Sequence, residues 1–327
     1  DLQQSWSYKQ APAQSVGREE HHMKHTVVLV VACLLLSTAA FASGSMSAFF
    51  IPEIMRGNTV IGNPSQSIAW SGNPAALAGE KTDAVTDGPA MDNAASFATN
   101  LSGDDDVWAL SYGGRSMVKG WGIGAGYVDS DYSEAYGIGF GMPLSGFEVG
   151  VNWRHTEMDS YYPPVDGAQS TSMDDSQDLF DLAGRKVWTY GADDTALKGL
   201  SKMAVGAVLR DVTDEIDSTL DLGVSLDFAN GWTFNLDLLD FDTVNLGAST
   251  RIGSAKQWEV GAGLTDGDLT LGAIYDIAKD GEPTAWRVGI AWADYDWDDV
   301  IYGGVSYNWC PKSSDCGTPS TRTPYDN

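Results

Sequence analysis

The sequence is poor in basic residues, in cysteine and in histidine. Its 327 residues include 19 Lys and Arg against 45 Asp and Glu, a net charge of -26. A chain this acidic is repelled by phosphate backbones, so nucleic acid is not expected as a partner. Three cysteines are too few for a disulfide-built scaffold. Only one histidine, His155, follows residue 25, which leaves little for a Ser-His-Asp hydrolase. We therefore predict no enzyme, no catalytic or metal-binding residues and no cofactor.

Long apolar runs are also absent, apart from one near the N-terminus. The run covers residues 27–36, has a basic start and leads to the small-residue site Ala40-Phe41-Ala42. This layout predicts a secretory signal peptide over residues 23–42. The run is too short for a comfortable transmembrane helix. Residues 1–22 have no structural pattern and are predicted to be a non-native leader.

The cysteines lie at the two ends of the chain. Cys33 falls inside the predicted signal peptide, and a lipoprotein signal at this position is the less favoured alternative because it would leave a very short apolar region. Cys310 and Cys316 lie in a Pro/Ser/Thr-rich stretch, residues 310–327, predicted to be a periplasmic tail. A disulfide between them would suit an oxidising periplasm.

Glycine and aromatic residues are abundant, and from about residue 94 apolar residues alternate with small or polar ones. A period of two is typical of strands and not of helices. The alternation predicts fourteen strands. Twelve is the alternative, because residues 180–200 alternate poorly. The fourteen predicted strands are 94–101, 106–114, 120–128, 134–142, 147–155, 180–188, 202–210, 219–228, 231–239, 243–252, 257–265, 268–277, 285–293 and 300–309.

Two architectures contain strands with one apolar face. A soluble sandwich buries that face between its sheets, whereas a membrane barrel turns it to lipid. Aromatic residues recur at strand ends, as in the interfacial girdles of barrels; they are Trp121, Trp232, Trp258, Trp286 and Trp309. With the signal peptide, this pattern favours an all-β fold: a transmembrane antiparallel β-barrel of about fourteen strands over residues 94–309, in the bacterial outer membrane. The sandwich is the alternative.

Loops and strand composition give three further predictions. An even number of strands puts the first and the last residue of the barrel on the same, periplasmic side. The loops on the outer side then include residues 156–179. Acidic loops are expected to face outer-membrane lipid and lipopolysaccharide, bridged by divalent ions. The repeats Gly122-x-Gly-x-Gly126 and Gly137-x-Gly-x-Gly141 have no helix after them, which predicts close packing or a narrow lumen instead of phosphate binding. A glycine-rich third strand that kinks and opens the wall to lipid is a further hypothesis.

A resemblance to a known family lies between the signal peptide and the predicted barrel. The segment GNTVIGNPSQSIAWSGNPAALAG, residues 57–79, resembles the N-terminal segment of the outer-membrane long-chain fatty-acid and aromatic-hydrocarbon transporters. The matching residues are Ala69, Trp70, Asn73, Pro74, Ala75, Ala76 and Leu77. The resemblance implies that this segment folds into the lumen as a hatch. This chain is shorter than typical members of that family.

The size of a fourteen-stranded barrel also favours a hatch. Its lumen is too wide for wall side chains alone to fill, so the pore is either open or plugged. Residues 43–93 are rich in Gly, Pro, Ala and Ser with scattered apolar residues, and irregular backbone is tolerated inside a protein wall. The alternative is a periplasmic tether that stays outside the lumen. The predicted ligand-binding residues are Phe49, Phe50, Trp70, Asn73, Pro74 and Ala75.

The predicted function is passive uptake of hydrophobic small molecules, such as long-chain fatty acids or hydrocarbons, with the ligand held by the hatch and the wall. The alternative is a barrel that does not transport and instead anchors or carries a protein partner at the cell surface.

Overall fold

The computed structural model describes most of the chain between Phe50 and Trp309. The described residues are 50–56, 58–78, 93–102, 106–114, 120–131, 133–161, 172–191, 199–213, 218–253, 256–277, 286–295 and 298–309. The predicted leader, signal peptide and C-terminal tail lie outside these residues. So do Phe49 and both cysteines of the predicted disulfide.

Fourteen antiparallel strands close into a barrel. Every strand pairs with its neighbours in sequence, and β1 pairs with β14 from Asn93 opposite Trp309 to Asn100 opposite Tyr302. A closed sheet excludes the sandwich alternative, and the count of fourteen excludes twelve. The strands are β1 (Asn93–Asn100), β2 (Trp108–Gly114), β3 (Gly122–Ser130), β4 (Ser133–Leu144), β5 (Phe147–Tyr161), β6 (Ser172–Thr189), β7 (Leu200–Arg210), β8 (Thr219–Phe228), β9 (Trp232–Leu239), β10 (Thr243–Ile252), β11 (Trp258–Thr265), β12 (Asp268–Ile277), β13 (Trp286–Tyr295) and β14 (Asp298–Trp309).

The largest difference from the predicted strands lies in the β5–β6 hairpin. The predicted outer loop 156–179 is mostly strand, because β5 continues to Tyr161 and β6 already begins at Ser172. The apolar alternation stops earlier than the hydrogen-bonded ladder does. A hairpin that projects beyond the lipid needs no apolar outward face, so its strands show no apolar alternation and were not predicted there.

Short turns set the register of two hairpins. The connection between β4 and β5 is Ser145-Gly146, with φ values of 49° and 79°. The connection between β11 and β12 is Asp266-Gly267, with φ values of 53° and 99°. Positive φ at both central residues defines the type I′ turn, whose twist matches that of the paired strands and which favours glycine at its second position.

The outward face of the barrel is apolar. Large aliphatic side chains at alternate strand positions are exposed; Leu110, Ile138, Leu182, Leu246 and Ile290 are each between 42% and 52% exposed. Such exposure would be unfavourable in water but is expected where lipid covers the wall. The predicted outer-membrane location is confirmed by this closed barrel with an apolar exterior.

Aromatic pairs lie at both ends of the outward face. At the end where β1 begins and β14 ends, here called the terminal end, Trp258 packs against Tyr275 with ring centroids 4.9 Å apart, and Trp286 packs against Tyr307 at 4.6 Å. At the opposite end, Trp108 lies 4.9 Å from Tyr127. These pairs form the aromatic girdles expected at the two membrane interfaces.

The inward face is polar and charged, and it is covered by the chain segment that precedes β1. This luminal segment, residues 50–56 and 58–78, contains helix α1 (Ile51–Ile54), helix α2 (Ala69–Gly72) and a 3₁₀ helix (Pro74–Leu77). Within the described residues, no helix is long and apolar enough to cross a bilayer. Buried polar side chains of the inward face include Asn152, Arg154, Asp181, Arg185, Arg210, Asp221, Asp237, Asn245, Glu259 and Asp276.

Candidate functional site

The luminal segment approaches all fourteen strands from inside the barrel. It starts on β14 and β13 at Ile51, follows the wall to β8 at Gly62, crosses to β1 and β2 at Gln66 and Ser67, and ends on β3 to β5. One wall residue that it approaches on each strand, in the order β1 to β14, is Ser96, Gly113, Gly124, Gly139, Asn152, Arg185, Arg210, Gly223, Asp237, Asn245, Glu259, Gly272, Gly289 and Gly304. The described residues 50–56 and 58–78 therefore lie inside the barrel wall.

Trp70 packs directly against glycines of the barrel wall. Its side chain is 1% exposed and lies on the inward face of β3 and β4. A Cβ added at Gly137 would lie 2.7 Å from Trp70 Cζ3, and one at Gly139 would lie 2.8 Å from Trp70 Cα. Only glycine leaves room for this contact, so the close packing predicted from the two glycine repeats is confirmed. The ladders of β3 with β2 and with β4 run without interruption.

Asn73 organises the turn that follows helix α2. Its side-chain amide donates a hydrogen bond to the Ile61 carbonyl at 2.7 Å, and its side-chain oxygen accepts one from the Ala75 N–H at 3.1 Å. The second bond caps the 3₁₀ helix, which Pro74 begins in the position where a missing N–H costs nothing. Asn73 and Ala75 are both 0% exposed, so these two hydrogen bonds of the Asn-Pro-Ala turn are buried.

A buried ion-pair group on β5 to β8 holds helix α2. Arg210 donates to the carbonyls of Ser71 at 2.8 Å and Gly72 at 2.9 Å, and it pairs with Asp181 at 2.9 Å and Asp221 at 2.8 Å. These carbonyls lie at the C-terminal end of a helical turn, where a cation is favourable. Because the guanidinium is almost fully buried, each of its bonds replaces water that it has lost.

Asp237 holds the middle of the luminal segment. Its carboxylate accepts hydrogen bonds from the Val60 N–H and, at 2.7 Å, from the Ile61 N–H. The side chain of Asp237 is fully buried on β9. Asp237 and Arg210 are therefore two polar attachments of this stretch to the wall.

A second charged group lies on β10 to β13 near the terminal end. Arg251 stands opposite Glu259 in the β10–β11 ladder, and Asp276 stands opposite Arg287 in the β12–β13 ladder. Arg287 joins the two pairs, with Nη2 2.6 Å from Glu259 and Nε 2.8 Å from Asp276. Arg56 of the luminal segment also pairs with Glu259. These five residues are called the arginine cluster below.

The predicted ligand-binding residues lie together in the luminal segment, apart from Phe49, which is outside the described residues. Phe50 is 3% exposed, and Trp70, Asn73, Pro74 and Ala75 are buried between the segment and the wall. A ligand would contact them only after the segment had moved away from the wall. Their role in binding therefore stays a prediction.

The described residues bring together no group of three or more His, Cys, Asp and Glu side chains that is suited to a metal ion. His155 lies on the outward face of β5, where its Nδ1 is 3.0 Å from Asp178 and its ring centroid is 5.0 Å from that of Tyr136. This placement agrees with a surface histidine near an outer strand end.

The charged groups of the inward wall were missed as site residues by sequence reasoning. Arg251, Glu259 and Arg287 do fall on the polar face of their strands, which was the available signal. The alternation within a strand does not show the register between strands, which places Arg251 opposite Glu259 and Asp276 opposite Arg287.

Neither a protein-family model nor a curated protein matches the sequence. Solved structures match its fold. The toluene transporter TodX of Pseudomonas putida is 12% identical, with a TM-score of 0.50, and the match covers 83% of this chain and 99% of that one. The outer membrane protein Omp33 of Acinetobacter baumannii is also 12% identical, with a TM-score of 0.44, and the match covers 68% of this chain and 100% of that one. At these identities the likeness concerns the fold alone.

Proposed function

We propose that this barrel is an outer-membrane channel for passive uptake of hydrophobic small molecules, such as long-chain fatty acids or hydrocarbons, and that the luminal segment is its hatch. The observation that carries the proposal is the filling of the lumen by a segment with an apolar buried surface. Its largest fully buried side chains are Trp70, Ile54, Met55, Ile61, Ile68 and Leu77. A solute that passes between the segment and the wall must contact these side chains, and they favour an apolar one.

Two further observations support the proposal. The barrel that this chain resembles in fold over most of its length is described as a toluene transporter. The Asn-Pro-Ala motif, through which the sequence resembles the fatty-acid and hydrocarbon transporters, shapes the part of the segment that lies against the glycines of β3 to β5. The described residues 50–56 and 58–78 form no strand, so none of the ladders that close the barrel depends on them.

The hatch can be tested by fixing it to the wall. The hydroxyl of Ser96 on β1 donates to that of Ser67 in the luminal segment at 2.8 Å, so these two side chains meet and are chosen for replacement by a disulfide. The double variant Ser67→Cys, Ser96→Cys is made in a chain whose Cys310 and Cys316 are replaced by serine. Uptake of labelled oleate is then measured in cells that lack their own transporter, with surface expression confirmed in the same cells.

The matched control is a disulfide within the wall. Ser130 and Ser133 form a hydroxyl pair at 2.9 Å at the β3–β4 turn, away from the luminal segment. We expect uptake by the parent chain and by the oxidised Ser130→Cys, Ser133→Cys variant, and loss of uptake in the oxidised Ser67→Cys, Ser96→Cys variant that a reductant restores. Full uptake by that oxidised variant would refute the hatch.

A second function remains the alternative outcome of the same experiment. The attachments of the segment to the wall through Arg210 and Asp237 suit a permanently seated plug as well as a hatch. If the parent chain reaches the surface and takes up no oleate, transport of fatty acids is refuted. A surface barrel that anchors or carries a protein partner then becomes the better explanation.

A further inference from the structure

The luminal segment is attached to the wall in two different ways. Its stretches 60–62 and 70–78 are attached by polar bonds. Asp237 and Arg210 bind their backbone groups as described above, and the Asn152 amide donates to the Trp70 carbonyl at 2.8 Å. All three wall side chains are buried. Moving these stretches away from the wall would leave buried polar groups unsatisfied, which is costly.

Helix α1 is attached by apolar contacts instead. Among the described residues, the hydrogen bonds of residues 50–55 lie within the luminal segment, and none joins them to the wall. Ile51, Ile54 and Met55 form a buried apolar cluster with side chains of β12 to β14, here called the α1 cluster. Its wall residues are Ile274, Ala291, Ala293, Val300 and Tyr302. Because apolar contacts are non-directional, an apolar solute can replace α1 on this face at little cost.

The wall beneath α1 contains glycines that meet its side chains. An added Cβ at Gly261 would lie 2.7 Å from Met55 Cγ, and one at Gly289 would lie 2.7 Å from Ile51 Cγ2. Both of these nearest atoms belong to side chains, and methionine in particular is unbranched and adaptable. By contrast, a glycine of β4 meets the backbone of Trp70. The contact of α1 with the wall is therefore the easier of the two to rearrange.

Two cavities adjoin α1 along the same strands. A small one of about 20 Å³ is lined by Ile51, Gly289 and Gly304. A larger one of about 230 Å³ lies at the terminal end and is bordered by the arginine cluster. Pro52 of α1 and Arg287 line both cavities, so the two are neighbours. The inward face of β12 to β14 thus leads from the apolar wall residues, past α1, to a space at the terminal end.

We propose that hydrophobic solutes cross the barrel along the inward face of β12 to β14, and that helix α1 is the part of the hatch that moves to admit them. The stretches 60–62 and 70–78 stay on the wall. This inference rests on the proposed function and adds a route and a moving part to it. Glu53 of α1 accepts a hydrogen bond from the Ser65 N–H at 3.0 Å, so residues 65–67 move with the helix. The disulfide of the Ser67→Cys, Ser96→Cys variant would hold this moving part.

The test compares two single cysteines in a chain whose Cys310 and Cys316 are replaced by serine. Ala291→Cys places a thiol on β13 in the α1 cluster, and the matched variant Ala135→Cys places one on β4 in the cluster that contains Trp70. Cells that express each variant are treated with octyl methanethiosulfonate, a hydrophobic probe that reacts with thiols. Modification of each cysteine is followed by peptide mass spectrometry, and uptake of labelled oleate is measured before and after it.

We expect the cysteine of Ala291→Cys to react at least about tenfold faster than that of Ala135→Cys, since uncovering the cluster of Trp70 requires breaking hydrogen bonds to Arg210. Excess oleate should slow the reaction of Ala291→Cys, and its modification should abolish uptake. This order requires movement of α1, because in the structure Ala135 is 8% exposed and Ala291 only 1%. Val300→Cys on β14 gives a second position in the α1 cluster and should react like Ala291→Cys.

Three results would overturn the route. They are equal reaction of Ala291→Cys and Ala135→Cys, faster reaction of Ala135→Cys, and full uptake after Ala291→Cys has been modified. Heat-dependent mobility on gels checks that each variant is folded. If the parent chain reaches the surface and takes up no oleate, the proposed function fails and the route fails with it. If the parent takes up oleate while Ala135→Cys reacts faster, only the route fails.

Discussion

The contact between Trp70 and the wall makes a sharp test of how the luminal segment is held. We consider the variant Gly139→Ala on β4. Its new Cβ would lie 2.8 Å from Trp70 Cα, 2.9 Å from Trp70 Cβ and 3.1 Å from the Trp70 carbonyl oxygen. Two of these three atoms belong to the backbone, so a change of rotamer cannot relieve the overlap. The segment or the strand must shift.

The size of the effect follows from two opposing terms. Overpacking a well-filled interior costs about 1–3 kcal/mol. Replacing glycine by alanine in an unstrained strand stabilises the fold by about 0.4–1 kcal/mol, because the unfolded chain loses freedom. The matched control Gly184→Ala on β6 gains only the second term, since an added Cβ there meets no atom within 4 Å. The two variants should therefore differ by about 1–3 kcal/mol in the seating of the segment, which is a factor of about 5–150.

Ion conductance in planar lipid bilayers measures this difference. A displaced segment uncovers the polar inward wall, so Gly139→Ala should leak more current than the parent chain, and Gly184→Ala should not. Heat-dependent gel mobility of both variants checks that the barrel itself remains folded. Equal conductance of Gly139→Ala and Gly184→Ala would show that the Trp70 contact does not hold the segment in place.

Two more predictions concern the charged residues. The variant Arg210→Met leaves Asp181 and Asp221 buried without their shared partner, so the free energy of unfolding in denaturant should fall by about 3–5 kcal/mol. The control Lys186→Met, at the exposed surface, should change this free energy little. Similar losses for both variants would contradict the buried role of Arg210. Burial raises the pKa of Glu53 above its ordinary value of 4.5, with Arg56 and Ser65 opposing the shift, so the seated segment holds this proton more tightly than a displaced one. Binding of the segment to the wall is then most favourable below pH 4.5 and weakens as the pH rises from 4.5 through the raised pKa. Conductance in planar bilayers should increase over that pH range in the parent and stay constant in the Glu53→Gln variant. A rise of the same size in the variant would exclude Glu53 as the cause.

Much of the barrel was accessible from the sequence because strand periodicity is a local property. The alternation in residues 219–228, 243–252 and 268–277 predicted strands whose bounds coincide with those of β8, β10 and β12. Where lipid does not constrain the outward face, as in the projecting part of β5 and β6, the alternation disappears and the prediction ended the strands too early.

The candidate site could be predicted only in part from the sequence. The sequence indicated that Trp70, Asn73 and Pro74 belong to a luminal segment, through a resemblance and through the volume that a fourteen-stranded barrel encloses. An asparagine before proline is expected to bond its own nearby backbone, as the Asn73 side chain does with the Ala75 N–H, but the sequence does not show that its amide donates to the Ile61 carbonyl.

By itself, the sequence determined the all-β class, the positions of most strands and the two faces of each strand, because each depends on residues that are near neighbours in the chain. Only the tertiary structure decided what fills the barrel. Arg210 meets the carbonyl of Ser71 across 139 positions, and Asp237 meets the Val60 N–H across 177 positions. Contacts over such separations depend on strand register and on the closure of β1 onto β14, which no local pattern of residues specifies.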